Sequence, residues 1–379
     1  MPEEYEVNSL NKQLTPKRYL KKIGTAFVGG DFTGNARGAN ALDIQSSRSA
    51  VTQVASGANS SAIGYRNTAS GEESSAIGYS NTASGVVSSA IGYDNTASGY
   101  YYSSAIGYGN TASGVASSAI GYDNIVSGYY SSAIGYRNTA SGISSSAIGY
   151  DNIASGNYSS AIGYENTASG YYSSAIGYSN TASGGSSSSA FGYQNAASGN
   201  YSSAFGYQNT ASGYYSSAIG YSNTASGVVS SAIGSFANSS IYGEIALNNS
   251  NTATSEQISK FVLRKTTTNA TQTTLSLSEG TQNLVLPSDT HLGFTCKVMG
   301  VSSAGVTNMY TFRGFIKNVG GTTTLSTTVV KEEFEEDTDW DATIEANDTT
   351  DSMDIKVTGE VATTIKWAAT LDCVKIDNS

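Results

Sequence analysis

The sequence predicts an all-β chain in two parts, a parallel β-roll solenoid of 14-residue repeats followed by an antiparallel β-sandwich of jelly-roll type. Three observations carry this reading. From Ser61 to about Gly234 the chain writes one sentence thirteen times: Ser-Ala-Ile-Gly-Tyr-x-Asn-Thr-Ala-Ser-Gly-x-x-Ser. Glycine punctuates each copy twice, as at Gly64 and Gly71, then Gly78 and Gly85. Beyond residue 250 the composition turns acidic and β-branched, with regularly spaced turn signals. A fixed period of this length is the signature of a repeat architecture and outranks local signals.

The copies begin at Ala62, Ala76, Ala90, Ala105 and onward to Ala232, with one inserted residue at Tyr100–Tyr102 and one at Gly185–Ser189. Glycines seven apart invite a coiled-coil reading, but Gly, Ser, Thr and Asn cost too much helix propensity, and paired apolar seam positions are absent. Collagen needs glycine at every third residue. What remains is a solenoid coil of two very short strands, each turned at a glycine able to take positive φ. Stacking sets Ile63 over Ile77 and Ala69 over Ala83, and at about 4.8 Å per coil thirteen coils make a rod of about 60 Å. The expected core is thin, one Ile or Phe and small alanines per coil. That buries little apolar area against a backbone entropy cost of ~1–2 kcal/mol per residue, so several columns should associate side by side.

The pattern Ser-x-Ala-x-Gly-x-x-x-x-Ala-x-Gly resembles the head repeat of YadA-type trimeric autotransporter adhesins, a repeat that phage tail fibres also use. The resemblance implies a left-handed parallel β-roll with three chains about one axis, hence a homotrimer. It covers the roll and not its flanks.

Composition divides the chain into an N-terminal segment (residues 1–57), the roll with a capping coil (58–250) and a C-terminal domain (251–379). The first is mildly basic, with Lys12, Lys17, Arg18, Lys21 and Lys22 clustered; the second holds nine charged side chains and no lysine. The net charge of −10 is concentrated in the third, which argues against nucleic acid as a partner. The opening Met1-Pro2-Glu3-Glu4-Tyr5-Glu6 is acidic, without an apolar stretch behind it, so the expectation is a chain assembled in a host cytoplasm.

In chain order, Leu10–Gly24 reads as a short helix opened by Pro16 and closed by Gly24, or as a docking arm. Gly34–Gly38 with Ala41–Gln45 resembles the lead-in to such repeats in phage fibre proteins, and Val54-Ala55-Ser56-Gly57 is already a half-repeat. Within the roll, variation is confined to the residue after Tyr (Arg66, Ser80, Asp94, Gly109) and to the pair after the second Gly, so both should face solvent. Of 27 tyrosines, twelve follow Ile/Phe-Gly and eleven lie in the variable pair. Stacked coils align the twelve into a ladder. Rings packed on rings or between subunits is one reading; a sugar-stacking face is the other, with Tyr129, Tyr130, Tyr171, Tyr172, Tyr214 and Tyr215 as its candidates.

After Ala232 the pattern decays through a capping coil, Ala246 still on the step, into a linker at Thr252–Gln257. Strands are expected at Ile258–Arg264, Thr273–Leu277, Asn283–Leu286, Leu292–Met299, Tyr310–Lys317, Thr323–Val330, Ala342–Ala346, Met353–Thr358 and Thr364–Val374, with turns at Ser278-Glu279-Gly280, Gly320-Gly321 and Asn347-Asp348. Phe261–Thr268 and Ile365–Ala369 resemble C-terminal domains of phage tail fibres. Cys296 and Cys373 are either buried free thiols or a disulfide.

Catalytic chemistry finds no footing. His291 is the only histidine and lacks a nucleophile context, and one His with two distant Cys cannot hold zinc. The carboxylates Glu332, Glu333, Glu335, Glu336, Asp337, Asp339 and Asp341 read as a solvated loop, a divalent-cation site or a glycosidase pair, without the Asp-x-Asp-x-Asp-Gly order of a calcium loop. The expectation is a non-enzyme without metal or cofactor: a virion tail fibre subunit docked on a tail or capsid protein by its N-terminus. It would bind a host-surface glycan or protein through Phe334, Asp339, Trp340, Asn347 and Asp348. Alternatives are a capsid-decorating fibre, a cellular trimeric adhesin and a polysaccharide-degrading tailspike.

Overall fold

In the computed structural model, residues 5–7, 14–16, 21–23, 25–30, 33–250, 256–278 and 282–377 are described. Among them there is no helix. The chain is a β-solenoid of about 16 turns followed by an antiparallel sheet region, and it divides into two compact units, residues 1–179 and 180–379.

In the first unit Tyr5–Val7 pairs antiparallel with Leu14–Pro16, and Lys21–Ile23 with Ala26–Gly30. The helix expected over Leu10–Gly24 is therefore replaced by short strands where that segment is described, and the rest of it lies outside the described residues. Ala26–Gly30 runs parallel to Leu42–Gln45, which runs parallel to Ser61–Tyr65, so the stack starts two strands before the first full repeat. From there a five-residue strand of each coil pairs in register with the next, Ile63 on Ile77 and Tyr65 on Tyr79. Two-residue strands such as Thr68–Ala69 and Thr82–Ala83 form a second sheet on the other side of the coil. Ala55 bridges Ala69, confirming the half-repeat.

The core differs from expectation. Ala62, Ala69, Ala76 and Ala83 are fully buried, whereas Ile63 and Ile77 are half-buried and Ile120, Ile134 and Ile148 are exposed. Side chains alternate along a strand, so if Ala62 points inward then Ile63 points outward. The isoleucines form an outer stripe, and the coil is filled by alanine and by asparagine.

That asparagine column is the chief internal tie. Asn152 is fully buried; its Nδ2 donates to the Ile148 carbonyl in its own coil and to the Gly163 carbonyl in the next. Its Oδ1 accepts the backbone N–H and the side-chain amide of Asn166. Every polar atom of this buried amide is used, which is the condition under which burying it stabilises.

The two glycines of a coil serve different ends. Gly149 has φ +122°, open only to glycine, and a Cβ there would lie 2.1 Å from the Gly163 oxygen. Gly156 does not have positive φ; it is glycine because a Cβ would lie 2.0 Å from the Gly170 oxygen. The expectation that both glycines turn by positive φ is corrected: left-handed backbone sits instead on variable residues such as Asp151 (φ 49°) and Tyr158 (φ 57°).

The second unit begins with coils of the same kind and ends its roll at Ile245–Asn249, the capping coil, with Ala246 paired to Ala232. That strand pairs antiparallel with Glu256–Thr267, so roll passes into sandwich through hydrogen bonds; linker residues 251–255 and turn residues Glu279 and Gly280 lie outside the described residues. One sheet of the sandwich runs Glu256–Thr267, Ile365–Asp377, Thr290–Ser302, Thr307–Val319, then Thr322–Leu325 and Val330–Glu335. The other centres on Ser352–Thr358, paired with Asp341–Asn347, Thr273–Thr274 and Leu284–Val285. Between them lie Phe261, Leu292, Tyr310, Trp340, Met353, Ile355 and Trp367.

Candidate interaction surfaces

On the long strands of the roll, Ser61, Ile63 and Tyr65 share the outward face. Register pairing turns each into a column. From Tyr65 to Tyr178 consecutive rings lie 4.6–4.9 Å apart, nearly parallel. In the second unit Tyr193, Tyr207 and Tyr221 continue the pattern at 4.7 and 5.1 Å. The ladder is thus real, and its inner rings have both faces covered, so only edges and hydroxyls meet solvent. Tyr93 and Tyr164 ionise above the usual phenol range, first through partial desolvation and then through neighbouring tyrosines and the adjacent Asp94 or Glu165.

The variable pair behaves otherwise. Tyr129, Tyr130, Tyr171, Tyr172, Tyr214 and Tyr215 are all exposed, at 42–67%. Tyr172 stacks on Tyr158 (4.9 Å) with Tyr171 edge-on at 4.4 Å, and Tyr215 stacks on Tyr201 (4.9 Å) with Tyr214 edge-on at 4.4 Å. Because coils in this column also carry Glu73, Val87, Ala116 and Ser144, the tyrosines form local clusters and no continuous ladder.

In the second unit the apolar outer stripe does not stop with the roll. Ile233 pairs with Leu247, Leu247 with Ile258, and Ile258 with Val374, all on one face and flanking a shallow hollow of ≈ 560 Å³. Further along the same sheet face, Ala368, Met299, Met309 and Phe334 are neighbours in register. Phe334 is 62% exposed and sits on an edge strand, Val330–Glu335, where the sequence reading placed a solvated loop. Its carboxylates are spread out: Glu332 pairs with Arg313 at 3.3 Å, Lys331 bridges Glu333 and Asp341, and Glu336 accepts the Thr307 N–H.

Of the other predicted contacts, Asp339 is exposed beside Asp337, whose carboxylate accepts the Asp339 N–H. Asp348 is exposed and accepts the Thr323 N–H at 2.7 Å; Asn347 is half-buried, ties Thr349 and Thr350 and donates to Asp354. Trp340 is the correction. It is 1% exposed, 5.7 Å from Trp367 in the core, and its carbonyl accepts the Tyr310 hydroxyl. An indole of that area, one residue before a strand, is drawn inward, so Trp340 is no surface contact. Cys296 and Cys373 are free and buried; burial pushes the Cys296 thiol up to about 12 and Cys373 higher still.

Sequence reasoning missed two buried charge clusters. Asp43 occupies the inward position that Ala62 fills in the next coil, and is held by Arg37 and Arg48, both at 2.7 Å, and by Gln45. Gln45 then accepts the Asn67 N–H, starting the asparagine column. In the second unit Glu244, fully buried, accepts from Ser259, Gln257 and the N–H groups of Ser240 and Ile241, with Lys375 at 3.5 Å. The only sequence signal was Glu244, the lone charge between Glu165 and Glu256.

Comparison with known proteins agrees with the coil geometry. The repeats match the YadA head domain repeat. The matches fall in successive stretches from residue 55 to residue 237: 55–81, 83–110, 101–124, 112–138, 140–166, 168–187, 183–209 and 211–237. Among curated proteins none matches the chain. Among solved structures, the crystal structure of the Acinetobacter phage vB_ApiP_P1 tailspike protein is similar at 8% identity, covering 88% of this chain and 77% of that one, with a TM-score of 0.20. A likeness at that level carries no argument. The YadA-like coils are the firm result.

Proposed function

We propose that the chain is a non-catalytic fibre subunit that assembles as a homotrimer and attaches a virion to a host cell surface. In this reading residues 1–57 dock on a tail or capsid protein, the roll is a stiff spacer, and the C-terminal sandwich meets a host glycan or protein. One observation carries the reading: inside its repeat coils the roll buries alanine, serine, asparagine and, once, Val126, and it leaves the isoleucines of its long strands outside, in register, on an uncharged face. Exposed contiguous apolar surface of this extent marks an interface, and the YadA-like coils favour threefold packing on it. For the tip, the exposed Phe334 row and the polar turn at Asn347–Asp351 give the sandwich side chains on edges and loops, where binding groups concentrate.

Light scattering of the native protein should give three times the 39.1 kDa chain mass; a particle of one chain mass overturns the trimer. Phe334→Ser and Asp348→Asn in the full chain should reduce binding to host cells while leaving mass and melting unchanged. Unaltered binding by both would remove the sandwich as the contact.

A further inference from the structure

We propose that the variable corner of the roll carries a slot for a neutral glycan, framed by Tyr130 and Tyr158 and floored by Ser144. This goes beyond the attachment reading, because it lies on the flank of the roll and uses nothing in the sandwich.

The three residues occupy one column in successive coils. The Ser144 N–H donates to the Tyr129 carbonyl and the Tyr158 N–H to the Ile143 carbonyl, which fixes their order. All three sit in left-handed backbone, φ 58°, 52° and 57°, so their Cα–Cβ bonds leave the coil at the same corner. One step further, Tyr172 at φ 55° stacks on Tyr158 at 4.9 Å, showing how this column packs when both neighbours are aromatic. At Ser144 the column is interrupted by a small side chain. Tyr130 and Tyr158 are then two coil steps apart, about 9.6 Å at the spacing of paired strands. That separation leaves about one van der Waals contact of ~4 Å on each side of an inserted puckered ring.

The chemistry of the walls selects the occupant. Tyr130 is 67% exposed and Tyr158 47%, against 37–45% for most of the ladder tyrosines. The aromatic face carries partial negative charge and favours polarised C–H groups, which a pyranose chair presents on its flat sides. The Ser144 hydroxyl at the floor and the phenol of Tyr129, next to Tyr130 in sequence, supply donors and acceptors for equatorial hydroxyls. No formal charge is near: Arg137, Asp151 and Glu165 lie in the other variable column, beyond the far end of the long strands. An uncharged site of aromatic faces and hydroxyls suits a neutral sugar and offers nothing to an anionic one.

The floor and one wall recur. In the second unit Ser187, Tyr201 and Tyr215 hold the same column positions, with Tyr201 on Tyr215 at 4.9 Å and Tyr214 edge-on to Tyr201 at 5.8 Å, where Tyr171 meets Tyr158 at 5.7 Å. The same Asn-Tyr then Tyr-Tyr order, preceded by a serine coil, appears at both places.

The test uses the full-length protein and hexaoses of glucose, mannose, galactose and N-acetylglucosamine, with polygalacturonate as the charged control, read by saturation transfer from tyrosine ring protons. At least one neutral hexaose should bind and polygalacturonate should not. Ser144→Tyr fills the slot as Tyr172 follows Tyr158, and should weaken that binding at least about tenfold with native mass and melting unchanged. Tyr130→Ser and Tyr158→Ser should weaken it comparably. Absence of binding by every neutral hexaose, or binding unaffected by Ser144→Tyr, overturns the proposal. A changed native mass for Tyr158→Ser also overturns it, by making the corner a contact between copies. Host-cell attachment that survives Ser144→Tyr but fails in Phe334→Ser separates this slot from the sandwich's role.

Discussion

In the repeat coils from 61 to 234 the largest side chains wholly inside a coil are asparagine and, once, Val126; in the sandwich Trp340, Tyr310, Phe261 and Leu263 fill one apolar core. The roll is held by backbone pairing above and below, by amides that hop from coil to coil, and by glycines that let backbones touch. The sandwich is held by apolar area between two sheets. The contrast teaches that one chain can reach the same secondary structure by two energetic routes, and each route has its own point of failure. Where backbones nearly touch, an added methyl group is disastrous; where large side chains interdigitate, a removed one is.

The largest effect should come from Gly149→Val. It places a branched Cβ at φ +122° and 2.1 Å from the Gly163 oxygen, so coil and neighbour must part. A loss of about 4 kcal/mol or more is expected in denaturant melts. Gly156→Ala sharpens the point, because its φ is not positive and only the 2.0 Å approach to the Gly170 oxygen opposes it. If Gly156→Ala is harmless, the close coil approach is not what fixes glycine there.

Next comes Trp340→Ala, which empties the sandwich core and should cost ~3–5 kcal/mol. The matched change in the roll, Ile148→Ala, removes a side chain that is 37% exposed within one chain. It should cost below about 1 kcal/mol in any isolated chain and more in the proposed trimer, where that face would be covered. Comparing the two melts at dilutions that do and do not preserve the trimer checks the comparison directly.

Asn152→Leu ranks third. It removes the Oδ1 that accepts the Asn166 N–H in a buried place and takes the amide donor from the carbonyls of Ile148 and Gly163. A loss of about 2–3 kcal/mol is expected, and exchange of the Asn166 amide proton should accelerate. Equal exchange rates in variant and parent would show that the asparagine column is filler.

These residues also show what was legible in the sequence. The period, the register of Ile63 on Ile77, the capping coil at Ala246 and nearly every sandwich strand could be read, because periodicity and turn residues report them locally. Which of Ala62 and Ile63 points inward could not. Hydrophobicity favours the isoleucine inside, and only the close coil approach, a tertiary fact, reserves the interior for alanine. Trp340 was misplaced for a related reason: seven carboxylates around it read as a surface loop, while the edge strand Val330–Glu335 holds three of them, Glu332, Glu333 and Glu335, and the indole turns into the core. Asp43 and Glu244 were invisible because their partners, Arg37 with Arg48 and Lys375 with Gln257, meet them only through the fold.

A smaller effect concerns alkaline pH. Burial raises Cys296 from 9.0 to about 12, and Cys373 is raised by burial and then by Cys296. The folded state prefers the neutral thiols, so their contribution is fully present below pH 9 and is lost as pH rises from there through about 12. Cys296→Ala should flatten this part of the sandwich's stability profile whatever its offset in absolute stability. Tyr93, Tyr122 and Tyr164 of the roll are raised above the ordinary phenol value, so the sandwich is followed separately by Trp fluorescence. An unchanged slope between pH 9 and 12 in Cys296→Ala would assign the loss to another group.

The smallest effect should be that of Asp151→Asn, two residues from Gly149. Asp151 stands in left-handed backbone at φ 49°, and asparagine is among the residues that tolerate that region best. What is removed is one ion pair, Asp151 to Arg137 at 3.5 Å, with the arginine side chain 57% exposed and the aspartate 26%. Pairs of that exposure contribute between nothing and about 1 kcal/mol, and the better backbone fit of asparagine offsets part of it. The net change should stay within about 0.5 kcal/mol, measured against Gly149→Val in the same melts. The pair of variants separates two kinds of turn position. At Gly149 the backbone of the next coil dictates the residue, whereas at Asp151 the side chain points to solvent and the column already accepts Arg, Ser and Gly. If Asp151→Asn destabilises the roll by more than about 1 kcal/mol, the charge at that corner is structural, and the exposed variable column would have to be counted with the glycines and not with the surface.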